Sequence, residues 1–376
     1  MKLFWQGKRV LVTGHTGFKG SWLSLWLSNL GATVTGLSLE PEGQPALFNQ
    51  LGLADIVDHH IGDIRDVDQL KRIVKRTQPD VVLHLAAQPL VRRSYVQPVA
   101  TWETNVLGTI NVLETLKPCT HPCASVFITT DKCYENKEWE YGYRENDPLG
   151  GHDPYSSSKA AAEIAIASWR RSFFEKPNSC VAIASARAGN VIGGGDWAED
   201  RIVPDAMRSL AKGEPIPVRN PSATRPWQHV LEPLGGYLLL AQRLYQQLTE
   251  TQSSRPQKTL QSAFNFGPAL SSNRSVKELV ECILSYWSGE WLDQSDPEAV
   301  HEAKLLNLVT DRAYHRLKWQ PVWNFQRTIQ ETVHWYQQAH QFSASESEVF
   351  RQLTLNQIQQ YETDLNLQHT IFSAKA

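Results

Sequence analysis

Short β-branched apolar runs alternate with amphipathic stretches through the first half of the chain. Residues 9–13, 33–39, 80–85, 126–130 and 181–185 have the length and composition of strands, whereas 22–30, 66–77, 99–116 and 155–173 carry apolar residues at helical spacing. Runs such as VVLHL and SVFIT are apolar on both faces, as parallel strands covered by helices on either side must be. This βαβ rhythm predicts a doubly wound α/β fold. Beyond Arg187 the rhythm breaks. Gly193-Gly194-Gly195 and five prolines (Pro204, Pro215, Pro217, Pro221, Pro226) divide the chain into loops, short strands and helices. We therefore expect an α/β domain over 1–187 and a smaller α+β subdomain over 188–340, from which a strand near 262–267 returns to the core sheet. A late helix is expected over 323–338, and a weakly patterned peripheral tail over 341–376 with room for one helix.

Composition narrows the class without naming a function. With 41% hydrophobic and 20% charged residues over 376 positions, the chain can bury a large core, which excludes disordered, collagenous and coiled-coil architectures. Lys and Arg total 37 against 39 Asp and Glu, so the formal charge of −2 gives no footprint for gripping nucleic acid, although a basic pocket for a small phosphate ligand is compatible with it. The opening MKLFWQGKRVLVTG breaks its apolar stretch with charges and has no small-residue cleavage site, and no apolar run approaches the roughly 18 residues that span a bilayer. A cytoplasmic chain with no membrane or nucleic-acid partner is expected. Five cysteines form an odd, sparse set, and the pair Cys119 and Cys123 has no second metal-ligand pair nearby, so buried thiols and no metal are expected.

Candidate chemistry begins at Thr13-Gly14-His15-Thr16-Gly17-Phe18-Lys19-Gly20, between the first apolar strand and the first helix. In a Rossmann-type βαβ unit Gly14 permits the tight turn, Gly17 lets the backbone approach a pyrophosphate at the helix N-terminus, and Gly20 lets helix and strand pack closely. The acid usually found at the end of the second strand is displaced, because that strand ends Gly36-Leu37-Ser38-Leu39 with Glu40 beyond, which leaves the choice between NAD and NADP open. Lys19 sits where an apolar side chain is commoner and has two readings, a hold on phosphate or a solvated lysine. Asp63 and Ile64 are candidates beside the adenosine.

A second constellation, Tyr155-Ser156-Ser157-Ser158-Lys159, opens an Ala-rich helix and stacks a phenol over an ammonium on one face. The ammonium is expected to lower the phenol toward the range of a general base. The end of the strand near 126–130 would deliver Thr130, Asp131 and Lys132 to the same place. A third is a scatter of arginines (Arg187, Arg201, Arg208, Arg219, Arg225) suited to a diphosphate. Trp22, Trp26 and His84 are read as core residues, and Asn105 as a brace.

The segments TGHTGFKG, LHLAAQ, TNVLGT, TTDKCYE and YSSSK resemble the extended short-chain dehydrogenase/reductase superfamily over about residues 8 to 335. Within it, GYREN, GNVIGGGDW and RPWQHVLEP resemble the dehydratases that act on CDP-glucose. The resemblance implies a lyase using NAD as an internal hydride shuttle, a homodimer or homotetramer, and extension of the cofactor site to Leu85, Ala86 and Ala87. It further implies Asn190 and Arg225 at the sugar diphosphate, with Arg201, Pro217, Arg219 and Asn265 near the nucleoside. Asp131 is then the acid for the C6 hydroxyl. Lys132 occupies the position of a glutamate base in dTDP-glucose relatives, with Glu135, one helical turn on, as its rival. Another nucleotide-sugar dehydratase, an epimerase or a reductase of the superfamily remains the alternative within enzymes; a dinucleotide-sensing regulator is the alternative outside them.

Overall fold

The five apolar runs are joined by two further segments in one wholly parallel, seven-stranded sheet in the computed structural model, which describes residues 1–176, 179–250, 260–295, 305–343 and 346–373. The strands are β1 (Arg9–Thr13), β2 (Thr33–Ser38), β3 (Asp58–Ile61), β4 (Val81–His84), β5 (Cys123–Ile128), β6 (Val181–Ala188) and β7 (Ala263–Phe266). Their spatial order is β7-β6-β5-β4-β1-β2-β3. β3 has no apolar run because it is an edge strand, partly exposed and paired only with β2. β5 starts at Cys123 and β6 runs on to Ala188, because both are buried throughout and extend through small residues as well as β-branched ones.

Helices α1 (Phe18–Asn29), α2 (Val67–Thr77), α3 (Thr109–Leu116) and α4 (Pro154–Trp169) cover this sheet. Asp66 caps α2 by accepting the amides of Asp68 and Gln69, and Asp153 caps α4 by accepting that of Ser156. α1 shows no polar stripe, since Gly20 through Leu27 are all buried between the sheet and the C-terminal helices. The helical stretch near 99–116 is interrupted by a π turn, Glu103–Gly108, where Ile64 fills the space above Gly108.

The second half adds α5 (Ile202–Lys212), α6 (Leu231–Thr249) and α7 (Phe325–Ala339), with three two-stranded sheets. β7 pairs with β6, and α6 packs on β5 and β6, so the two halves share one core. The final segment forms a long helix, α8 (Ser347–Ser373), that buries Phe350, Ile358 and Tyr361 instead of lying as a peripheral tail. Its pattern is weak because polar pairs hold much of it. Trp26 donates to Glu362 at 2.9 Å, Trp335 to Thr354 at 3.0 Å and Trp323 to Asp364 at 2.8 Å. Among the described residues no helix is long and apolar enough to cross a membrane.

Beneath α8 lies Glu232, fully buried, accepting the amides of Val322 and Trp323 and the Tyr361 hydroxyl. Burial pushes its pKa from 4.5 up to about 7, against those hydrogen bonds. Because the folded-state value is the higher one, the folded protein binds this proton more tightly, and the stability it contributes is complete below the unfolded value and lost as pH rises through about 7. Glu232→Gln should therefore match the parent near pH 5 and exceed it near pH 8 by up to about 3 kcal/mol in urea unfolding. A pH-independent difference would refute this.

Candidate active site

Gly14 ends β1 at φ +77°, and a Cβ there would lie 2.7 Å from the Ala86 amide nitrogen, so the first loop and the loop after β4 touch at backbone distance. A Cβ on Gly20 would lie 2.0 Å from the Gly14 carbonyl, which is the close packing of helix on strand that the glycine spacing predicts. Gly17 caps α1 without a side-chain acceptor, leaving the first-turn amides of Phe18 and Lys19 for an anion. These features fit a dinucleotide pyrophosphate. Thr16 bonds Ser38 at 2.7 Å and the Leu39 carbonyl at 3.0 Å, so a buried hydroxyl stands near the end of β2 where an acid is common, while Glu40 is exposed.

Other cofactor candidates separate. The His15 ring turns from the loop toward β2, packs against Gly36 and bonds His59 at 2.6 Å; burial lowers its pKa to about 4. Asp63 is engaged by Arg65 at 2.7 Å, and Ile64 is buried. Leu85, Ala86 and Ala87 follow β4 along the glycine loop, with the Ala86 amide donating to the Thr13 hydroxyl at 3.3 Å. Half-buried Lys19 lies 5.9 Å from the Tyr237 ring, and desolvation, with Arg201 adding to it, draws its pKa down to about 8. His84 is a satisfied core histidine between Thr13 and Thr109, and Asn105 braces Gln88 and Ser158.

The chemistry-bearing residues meet at the carboxyl ends of β5 and β6. Tyr155 and Lys159 lie one turn apart on α4, both buried, with the Tyr155 amide donating to the Ser94 hydroxyl at 3.1 Å. A short 3-10 turn, Asp131–Cys133, follows β5; Thr130 donates to Asp131 at 3.0 Å and accepts the Lys132 amide at 3.3 Å. Burial raises the Asp131 pKa, against Lys132, the Thr130 hydrogen bond and Lys19. Lys159 falls to about 8, also by burial, and donates to the Ile128 carbonyl at 3.2 Å. The expected lowering of the phenol is not the arrangement observed: burial pushes Tyr155 up to about 12, opposed by a Thr130 hydrogen bond and by Arg201. Lys132 is half-buried beside Asp131. Glu135 does not sit one helical turn on, because the 3-10 turn gives way to extended backbone at Tyr134 and leaves Glu135 exposed.

A Cβ on Gly189 would lie 2.7 Å from an Asp131 carboxylate oxygen, so the chain after β6 passes directly over the acid and carries half-buried Asn190 with it. Arg201 faces Tyr155 and is held by Asp196 at 2.8 Å. Pro217 and Arg225 are half-buried, with Arg225 donating to the Thr224 carbonyl at 2.9 Å; exposed Arg219 pairs with Asp200 at 2.6 Å. Asn265 stands apart. It is fully buried, with both amide hydrogens directed at the Tyr143 and Val309 carbonyls and its oxygen accepting from Tyr134, so it braces three segments and has no donor left for a nucleoside. Arg187 and Arg208 are likewise engaged within the protein. Two further residues belong to this surrounding: Glu163, one further turn along α4 at the same spacing, and Tyr237, concealed in the apolar run of α6 although it feels the charges of Asp131 and Tyr155.

Residues 11–332 match the family model described as GDP-mannose 4,6 dehydratase. The chain is 48% identical over 340 residues to a CDP-glucose 4,6-dehydratase of Salmonella typhimurium, covering 89% of this chain and 92% of that protein. It is 24% identical to a dTDP-glucose 4,6-dehydratase of the same organism, covering 87% and 92%. Among solved structures, a UDP-glucose 4-epimerase of Thermotoga maritima with UDP-glucose superposes with a TM-score of 0.74 at 19% identity, covering 88% and 99%. A dTDP-glucose 4,6-dehydratase of Bacillus anthracis in complex with NAD superposes at 0.70 and 20% identity, covering 89% and 97%.

Gly14→Ala would combine a left-handed backbone with a backbone clash at Ala86. NAD affinity measured by calorimetry should fall by at least about tenfold if this loop holds the dinucleotide. Unchanged affinity would remove the loop from that role.

Proposed function

The chain belongs to the GDP-mannose 4,6 dehydratase family of the extended short-chain dehydrogenase/reductases, and from that membership we propose how its own residues carry out the dehydration of CDP-glucose. The enzyme converts CDP-glucose to CDP-4-keto-6-deoxyglucose and water. The observation that carries the residue assignment is the meeting of Tyr155 and Lys159 on α4 with a buried Asp131 beneath Gly189. A simple reductase or epimerase has no task for a carboxyl group whose protonation burial favours at that point.

Bound along Gly14, Gly17 and the first-turn amides of α1, NAD supplies the capacity to take hydride from sugar C4 and return it to C6. Tyr155 is assigned the proton of the 4-hydroxyl; the phenolate this requires is favoured by the Thr130 hydrogen bond and by Arg201, which oppose burial at the phenol. Asp131, whose protonation burial favours, gives its proton to the C6 hydroxyl as it leaves as water, once the 4-ketone has acidified C5. Lys132 is assigned the C5 proton; its place beside Asp131 supports this role over exposed Glu135. Asn190, Arg201 and Arg225 are assigned to the sugar diphosphate and the nucleotide side of the cleft, with Pro217 and Arg219 farther out.

The subunits are proposed to pair through the exposed apolar side chains Val96, Val99, Trp102, Leu107 and, on α4, Ile164. Sedimentation should then show a species of at least twice 42.5 kDa. A monomer alone would refute the pairing.

Incubation with CDP-, UDP-, dTDP- and GDP-glucose and catalytic NAD tests the reaction; CDP-glucose should lose the mass of one water, with no net growth of reduced-nicotinamide absorbance. Tyr155→Phe should slow both oxidation and water loss by at least about 100-fold. Asp131→Asn keeps the shape but removes the acid, so oxidation should persist while water loss slows, and the reduced-nicotinamide band, transient in the parent, should build up in a single turnover. Matching traces for the parent and this variant would remove Asp131 from the elimination.

A further inference from the structure

We propose that the buried Glu163–Arg187 ion pair is a positioning pair that sets the protonation of Lys159 and, through it, the readiness of Tyr155 to act as a base. Tyr155, Lys159 and Glu163 recur at intervals of four along α4 and therefore share one face, with neighbouring Cβ atoms about 6 Å apart. Glu163 is 3% exposed and accepts three hydrogen bonds, from Thr129 at 2.5 Å, Ser185 at 2.8 Å and Arg187 at 2.7 Å. Arg187, on β6, is equally buried, donates to the Tyr134 hydroxyl at 2.8 Å and the Glu145 carbonyl at 3.1 Å, and lies 4.9 Å over the Tyr134 ring. Each partner of the pair is thus fixed by further bonds. A buried ion pair of this kind is a poor source of stability compared with apolar side chains of the same volume. What it provides at this position is a fixed anion one turn below Lys159.

The other groups around Lys159 do not supply that anion. On the 3-10 turn, burial keeps Cys133 a thiol and favours protonated Asp131, while Lys132 adds positive charge. His84, from β4, is neutral, its pKa drawn to about 3. Lys19, from α1, is a further positive charge, and Arg201 faces Tyr155 on the other side. Arg170, at the end of α4, feels Glu163 from its far side. Glu163 is accordingly the chief influence holding the Lys159 ammonium charged against burial, and Arg187 is the chief partner that keeps Glu163 itself ionised. Loss of either partner should therefore weaken the hold on the Lys159 ammonium.

The proposal rests on reading Tyr155 as the base, but its test does not use the reaction. Competitive acetylation of the full chain across pH, read by mass spectrometry on the peptide carrying Lys159, gives the midpoint at which that amine loses its proton. The parent should titrate near 8. Glu163→Gln should lower the midpoint by about one pH unit, Arg187→Gln should lower it as well because the buried carboxyl loses the charge that keeps it ionised, and Arg187→Lys should return it toward the parent. Midpoints that stay in place, or that rise in either of the first two variants, overturn the proposal. Where Glu163→Gln does not fold, Arg187→Gln against Arg187→Lys decides it, since only the first should lower the midpoint. Full turnover of Tyr155→Phe would instead overturn the base assignment and leave these midpoints standing.

Discussion

The site depends first on the approach of two backbones at the switch point of the sheet. β1 lies between β2 and β4, and the chain leaves β1 first toward β2 and β3 and later returns to β4 on the other side. The loops after β1 and β4 therefore diverge above the sheet and open a crevice. They meet where Gly14 approaches Leu85 and Ala86, and a side chain at Gly14 would force them apart. With that contact in place the N-terminus of α1 faces the crevice, and the ends of β5 and β6 bring Thr130, Asp131 and Gly189 to its other wall.

Burial governs the electrostatics of that wall. It acts against whichever form is charged, raising Asp131 and Tyr155 and lowering Lys159 and Lys19. Left to desolvation alone, each group would move toward neutrality, and a site of neutral groups would transfer protons poorly. Individual partners resist this drift: Thr130 and Arg201 at the phenol, and Glu163 at Lys159. Acid, lysine and phenol are thus tuned separately within one cleft because each faces a different neighbour.

The second half of the chain holds the cleft from outside. Arg201 is fixed by Asp196, whose own carbonyl accepts the Tyr336 hydroxyl at 2.5 Å from α7. α7 is in turn clasped by α8, through Trp335 and Thr354, and α8 is tied to α1 through Trp26 and Glu362. A path of hydrogen bonds thus runs from the dinucleotide helix around the C-terminal helix to the arginine facing Tyr155.

Local pattern was enough for the elements whose neighbours are predictable. The buried parallel strands, the capped helices, the glycine turn and the Tyr155–Lys159 stack all follow from spacing, because a period of two or four fixes a face whatever else the chain does. Asp131 could be placed near them because strand ends in such sheets converge. The sequence could not reveal β3, a polar edge strand made by pairing with β2, or the burial of α8, held by tryptophans distant in sequence. Nor could it show that Asn265 is saturated by carbonyls from two other segments, that His15 turns toward β2, or that Glu135 leaves the helical turn. Above all it could not give the balance of charge at Lys159. Spacing determines which side chains share a face, but the charge a group carries depends on how much water is excluded from it and on which partners arrive from other strands, and tertiary packing alone decides both.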